Sequence, residues 1–257
     1  MNIICPVCKE ELSIINNSYK CINNHNFDIS KEGYINLYLK KAQNSGDEKE
    51  MIIARNSFLS NDYYGFLRDE LNNILITNNV SSLLDLGCGE GYYTKYFNVD
   101  EKIGIDLSKS GLKIASKRDR NTTYILSSIF NVPIKDNCMD AVLICFAPIA
   151  KQEIVRVLKN NGIFILVRPN IKHLCELRNV VYDNPYDNIN EDIEIEGLKK
   201  IKEYSISSFA SLNNEELKSL FTMTPYYHTT SIKDKEKLNS INELSLTFDF
   251  IISIYKK

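Results

Sequence analysis

Leu83-Leu84-Asp85-Leu86-Gly87-Cys88-Gly89-Glu90-Gly91-Tyr92-Tyr93 is the stretch on which the reading of the whole chain turns. An apolar run meets an acid, turns through three glycines at alternate positions and re-enters an amphipathic segment. That is the pattern of a buried strand, a tight loop and a helix start. Glycines belong where a ligand lies against bare backbone, because a Cβ would stand in its way. The spacing is G-x-G-x-G, whereas dinucleotide-binding loops prefer G-x-G-x-x-G with a pyrophosphate at the helix N-terminus. Asp85, just ahead of the turn, suits a cationic ligand better than a phosphorylated one. S-adenosylmethionine, with its sulfonium and ammonium, is such a ligand.

Downstream, strand and helix alternate. Residues 102–106 form a second strand ending in Asp106, placed to accept both hydroxyls of a ribose. A helix over 108–118 follows, then a third strand over 123–127, with residues 127–130 falling where an adenine would lie. Residues 140–148 are the fourth strand and its exit, where such sheets meet the reacting atom. A helix through Ile154, Val155, Val157 and Leu158, closed by Asn160-Asn161-Gly162, leads to a fifth strand over 163–167. Beyond Pro169 come a helix, a polar stretch rich in Asn, Asp and Glu, and Met223-Thr224-Pro225. The alternation over 246–255 suits an antiparallel edge strand.

Upstream, Asn44-Ser45-Gly46-Asp47 reads as a loop or linker. Met51, Ile52, Ala54, Phe58 and Leu59 then line one side of a helix that starts near Lys49. Asp62 is placed to cap a second helix carrying Tyr64, Phe66, Leu67, Leu71, Ile74 and Leu75. These two helices could close over the ligand of the glycine loop.

The chain has 257 residues, 44% apolar and 25% charged, the balance of a soluble globular protein. It contains no run of eighteen apolar residues and no signal-peptide pattern, so a cytoplasmic protein with no membrane partner is expected. A net charge of −2 gives no global footprint of a nucleic-acid binder. Lys109, Lys113, Lys117, Arg118 and Arg120 do gather in one segment, although a solvated helix face is the preferred reading of them.

Seven cysteines, an odd count without an export signal, argue against a disulfide framework. Three fall in the first 21 residues. Cys5-Pro6-Val7-Cys8 points two thiolates at one centre, and Cys21 with His25 supplies the other pair. Four such ligands in a short segment suit tetrahedral zinc, with no open position and hence a structural role. The redox alternative for Cys5-x-x-Cys8 lacks a thioredoxin-like βαβ context. The segment from Phe27 to Leu37 continues this small module.

Taken together, Gly87-Cys88-Gly89-Glu90-Gly91-Tyr92-Tyr93-Thr94, Asp106 and the late fifth strand resemble class I (Rossmann-like) S-adenosylmethionine-dependent methyltransferases. A fuller set resembles one family among them, the guanine-N1 methyltransferases of bacterial 23S ribosomal RNA, of RlmA type. That set is Cys5-Pro6-x-Cys8, Cys21-x-x-x-His25, Phe27-Asp28, Lys31-Glu32-Gly33-Tyr34-x-Asn36-Leu37, Gly46-Asp47, Glu50-Met51, Ala54-Arg55, Phe58-Leu59 and Tyr64-x-x-Leu67-Arg68-Asp69. It closes with Ala147-Pro148, His173-Leu174 and Met223-Thr224-Pro225, so it spans nearly the whole chain.

The resemblance implies an α/β enzyme in three parts. Residues 1–37 would be a zinc-binding RNA-recognition module, 38–78 a linker with helices, and 79–257 the methyltransferase domain. Zinc would be held by Cys5, Cys8, Cys21 and His25. S-adenosylmethionine would be contacted by Tyr64, by Gly89-Glu90 and by His173, beside the loop residues Asp85 and Gly87 and the acid Asp106. Without the resemblance Tyr64 reads as a core aromatic and His173 as a helix-surface residue. A 23S rRNA hairpin as substrate and a homodimer are implied as well. One departure is Phe146, where a tyrosine is usual before Ala-Pro; stacking on a base would survive the loss of the hydroxyl. No side chain is singled out as a catalytic base, and Cys145, on an apolar strand without a neighbouring base, reads as a core cysteine. A small-molecule methyltransferase and a non-catalytic rRNA-binding relative are the competing readings. The zinc knot speaks against the first, and the intact cofactor loop against the second.

Overall fold

In a computed structural model, residues 2–40, 46–185 and 187–257 are described. Asn44 and Ser45 of the expected linker lie outside them. Near the N-terminus, β1 (Ser13–Ile15), β2 (Ser18–Lys20) and β3 (Asn26–Asp28) form a small antiparallel sheet. Asn16 and Asn17 both take left-handed backbone (φ 49° and 60°), which gives the β1–β2 hairpin its tight turn. Then come β4 (Ile35–Asn36), α1 (Gly46–Ser60), α2 (Gly65–Thr77), β5 (Ser82–Leu86), β6 (Glu101–Asp106), α3 (Lys109–Arg118) and β7 (Thr122–Leu126). They are followed by β8 (Met139–Cys145), α4 (Lys151–Val157), β9 (Leu158–Pro169), α5 (Cys175–Val181) and β10 (Lys199–Asn213). The chain finishes with α6 (Asn214–Met223), α7 (Tyr226–Thr229), α8 (Ile232–Glu236) and β11 (Glu243–Lys256).

Eight strands make one sheet in the order β10-β11-β9-β8-β5-β6-β7-β4. From β7 to β9 the strands run parallel, and β11 enters antiparallel to both β9 and β10. β5 is buried along its whole length, as a central strand covered on both faces must be. The chain leaves β5 toward β6 on one side and later returns to β8 on the other. A crevice therefore opens beyond the carboxyl ends of these strands, where such sheets bind ligands.

The N-terminal module is not a detached knot. β4 pairs in parallel with β7, through Ile35–Ile125 and Asn36–Leu126. Ile3, Leu12, Tyr19, Ile35 and Leu37 pack in one apolar cluster with Leu84, Leu86, Ile103 and Ile125 of the large sheet. Part of the basic cluster fastens the junction: Lys113 lies 3.5 Å from the Glu32 carboxylate, and Arg120 donates to the Glu32 carbonyl at 2.8 Å.

Several expectations from the sequence are corrected. The glycine loop leads not into an α-helix but into a single 3₁₀ turn, Thr94–Tyr96, ahead of β6 at Glu101. Gly46 and Asp47 belong to α1 rather than to a loop. Tyr64, not Asp62, is the residue at the N-cap of α2; the Asp62 carboxylate instead accepts from Tyr92 Oη at 2.8 Å and pairs with Arg68. Asn160-Asn161-Gly162 does not close α4 but lies inside β9. β11 is interior, not an edge, because β10 covers it. β10 carries little strand signal in the sequence: its inner face (Tyr204, Ile206, Ala210) is only half-buried and its outer face alternates serines with Phe209.

Candidate cofactor cleft and metal centre

The ligating atoms of Cys5, Cys8, Cys21 and His25 lie within 4.8 Å of one another. Cys8 Sγ is 3.6 Å from Cys21 Sγ, and His25 Nδ1 is 3.5 Å from Cys5 Sγ and 3.3 Å from Cys21 Sγ. Zn–S bonds of about 2.3 Å at tetrahedral angles place sulfurs about 3.8 Å apart, so these edges fit zinc. Two turns build the site. Lys9 N–H donates to the Cys5 carbonyl at 2.9 Å, and Cys21 N–H donates to the His25 carbonyl at 3.2 Å, with Lys9 and Asn24 in left-handed backbone. Four protein ligands close the tetrahedron, so the metal is structural.

The crevice at the end of β5 is a cavity of about 430 Å³, within the range of cofactor sites. Asp85, Gly87, Cys88 and Glu90 form one wall, Cys145, Phe146 and Ala147 the exit of β8, and Leu166 to Pro169 the end of β9. Met51, Arg55 and Leu59 of α1 reach over it, and Tyr64, His173 and the Met223-Thr224-Pro225 turn complete the rim. Gly87 (φ +84°) and Gly91 (φ +72°) stand where no side chain fits. A Cβ on Gly87 would lie 2.5 Å from Ala147 Cβ, and one on Gly91 2.5 Å from Tyr124 Oη. These residues hold the loop flat against the sheet and leave its backbone free for a ligand.

The wall is strongly acidic for so enclosed a place. Asp85 is buried and accepts from Thr94 Oγ1 at 2.5 Å; burial pushes its carboxyl up to about 7. Glu90 is also buried, with Oε1 lacking any hydrogen-bond partner, and burial raises its carboxyl too. Asp106 stands behind the lining, accepting from Gly89 N–H at 2.8 Å and Ser108 N–H at 2.7 Å, with its carboxyl likewise raised by burial. Buried carboxylates are costly unless a cation or donors meet them. A cationic ligand supplies what this wall lacks, so the residues present fit S-adenosylmethionine.

The opposite side is aromatic. Tyr64 and His173 lie with ring centroids 6.4 Å apart, and both pack on Phe250, at 5.0 and 4.7 Å. Far from lying on a helix surface, His173 is buried in the loop after β9, where burial lowers its imidazole to about 3. Its Nδ1 accepts from Asp249 N–H at 3.4 Å, which leaves Nε2 as the donor. The buried guanidinium of Arg178 secures this loop by donating to the carbonyls of His173 and Ile171. Phe146, half-exposed in the cleft, adopts left-handed backbone (φ 60°) and packs on Phe250 at 5.0 Å.

The structure thus gathers Tyr64, Asp85, Gly87, Glu90 and His173 around one cavity, with Gly89 and Asp106 joined to each other just behind it. Phe250 and Arg178 were missed because their roles come from strand pairing and loop packing. Arg55 had a visible signal, standing one turn beyond Met51 on a helix expected to close over the cleft.

Residues 3–43 match the family model described as "RlmA, N-terminal", a zinc ribbon, and residues 84–166 match one described as "Methyltransferase domain". YxjB of Bacillus subtilis (strain 168), assigned as a 23S rRNA (guanine-N(1)-)-methyltransferase, is 27% identical over 272 aligned positions, which cover 98% of this chain and 96% of that protein. The 23S rRNA (guanine(748)-N(1))-methyltransferase of Streptomyces fradiae is 26% identical, covering 67% of this chain and 65% of that enzyme.

Proposed function

We propose that the chain is an RlmA-type S-adenosylmethionine-dependent methyltransferase that methylates N1 of a guanine in a hairpin of 23S ribosomal RNA. One observation carries the reading: a closed zinc ribbon shares its apolar core with a sheet whose crevice buries the carboxylates of Asp85 and Glu90, the latter with Oε1 unpartnered, under a glycine loop. When bound, S-adenosylmethionine supplies an electrophilic methyl group on a sulfonium.

The chain's own residues then have divided tasks. Asp85 and Glu90 hold the cationic part of the cofactor, and Asp106 accepts from its ribose. Gly87 and Gly89 let it approach the backbone, while Tyr64 and the Nε2 donor of His173 bound its far end. Phe146 offers its face to the acceptor guanine, which leaves its stack to enter the cleft. Alignment of donor and acceptor is the main catalytic contribution in such a displacement. Residues 1–37 serve as the RNA-recognition module, where Val7, Ile14, Ile15 and Ile22 are exposed. Residues 38–78 link it to the methyltransferase domain, 79–257. The enzyme acts in the cytoplasm as a homodimer, a state that sedimentation measures directly. Among the described residues no helix is long and apolar enough to cross a membrane.

The test is transfer of a labelled methyl group to large-subunit rRNA lacking the modification, with reverse-transcription stops read across the product. A stop one nucleotide short of a hairpin guanine is the expected result, since N1 methylation blocks pairing. Cofactor binding with no label in free rRNA or in immature subunits would defeat the rRNA reading.

A further inference from the structure

Arg55 is the cationic side chain that the cleft leaves without a partner. It projects from α1 over the glycine loop, with Nη1 3.4 Å from the point that a Cβ on Gly89 would occupy. It makes no hydrogen bond or ion pair among the described residues. The other arginine of the lining, Arg168, is engaged: its Nη1 donates to the Glu191 carbonyl at 2.8 Å, and its Nη2 lies 3.8 Å from Glu203. Arg55 thus faces a wall made of Asp85 and Glu90, and its charge opposes the burial that raises Glu90 and Asp106.

An amino-acid tail carries both signs. The carboxylates of the wall answer its ammonium and the neighbouring sulfonium, but its own carboxylate needs a cation. His173 is neutral at working pH and offers one N–H. A guanidinium offers a fork that matches both carboxylate oxygens. We propose that Arg55 binds the α-carboxylate of S-adenosylmethionine, and so selects a cofactor with an intact amino-acid tail. The inference rests on the methyltransferase reading of the cleft. It adds to that reading a residue whose work is done before any methyl group moves.

Calorimetric binding to the full chain tests it, with three ligands: S-adenosylmethionine, S-adenosylhomocysteine and decarboxylated S-adenosylmethionine. In Arg55→Met the first two are expected to bind about 10–100-fold more weakly, the size of one charge-assisted pair. Decarboxylated S-adenosylmethionine should bind within about twofold of its wild-type affinity, or more tightly, because it has no carboxylate to lose. Arg55→Lys, which keeps the charge without the fork, should fall between and guards against a folding defect in the methionine variant. Equal loss for all three ligands, or no loss for any, overturns the proposal. So does normal cofactor binding with impaired rRNA binding in Arg55→Met, which would assign the guanidinium to the RNA. A wild-type chain that binds none of the three ligands sinks the methyltransferase reading itself, an outcome distinct from a wild type that binds and a variant that does not discriminate.

Discussion

The zinc ribbon and the cofactor cleft are two sites of opposite construction. All four metal ligands lie within one short segment, Cys5 to His25, and two tight turns suffice to aim them. The cleft draws its lining from α1, the start of α2, the ends of β5, β8 and β9, the loop after β9 and the turn after α6. The ribbon gains its order from ligand chemistry, whereas the cleft inherits its order from the packed sheet whose strand ends line it. The two should therefore fail differently.

The largest effect should come from the metal. Zinc in ribbons of this size contributes on the order of 10–16 kcal/mol to folding. Chelation, or Cys8→Ser, is expected to release one equivalent of zinc, lower the melting temperature by more than about 10 °C and abolish rRNA methylation. Cofactor affinity, measured by calorimetry, should stay within a few-fold. If it collapses in parallel, the shared core couples the two sites and the contrast is wrong.

Next comes the cradle. Gly87→Ala puts a Cβ into left-handed backbone and within 2.5 Å of Ala147 Cβ. A loss of about 2–4 kcal/mol in stability and at least a hundredfold in cofactor affinity is expected, with zinc content unchanged. Denaturant unfolding and metal analysis check the two halves of this statement.

Asp85 sets a pH dependence. Its carboxyl, raised by burial to about 7, holds its proton below that pH in the free protein, and a cationic ligand favours the ionised form. Cofactor affinity should therefore rise with pH up to about 7 and then level, with proton release seen as a buffer-dependent binding enthalpy. The stability sign is the reverse. The folded pKa lies above the ordinary aspartate value of 3.8, so the stability that the protonated form contributes is lost as pH rises through about 7. Asp85→Asn should raise the melting temperature at pH 8, but not at pH 4, while weakening cofactor binding. His173 adds nothing to this profile between pH 5 and 8, because its pKa of about 3 keeps it neutral throughout.

The smallest effect should fall on Phe146. Phe146→Tyr restores a hydroxyl without disturbing the ring contacts with Phe250 and Tyr64, so turnover should change by less than about threefold. Phe146→Ala, which removes the stacking face, should cost about tenfold or more in methyl transfer, with cofactor affinity preserved.

Much of this was legible in the chain itself. The zinc ligands and the glycine loop are local patterns, fixed by residue type and spacing over a few positions, and so are the strand ends carrying Asp85 and Asp106. What the sequence left open depends on pairing between distant segments. Whether β11 is an edge depends on β10, whose alternating serines carry little apolar signal. That His173 is buried rather than exposed depends on Asp249, Arg178 and Phe250, far from it or out of register with it in the chain. β4 joins the large sheet through only two residues, too few for any periodicity to announce. Residue chemistry thus determined which groups could bind a metal and a cationic cofactor. Only the tertiary structure decided which of them share a low-dielectric cavity, because burial and electrostatic coupling are properties of neighbours in space.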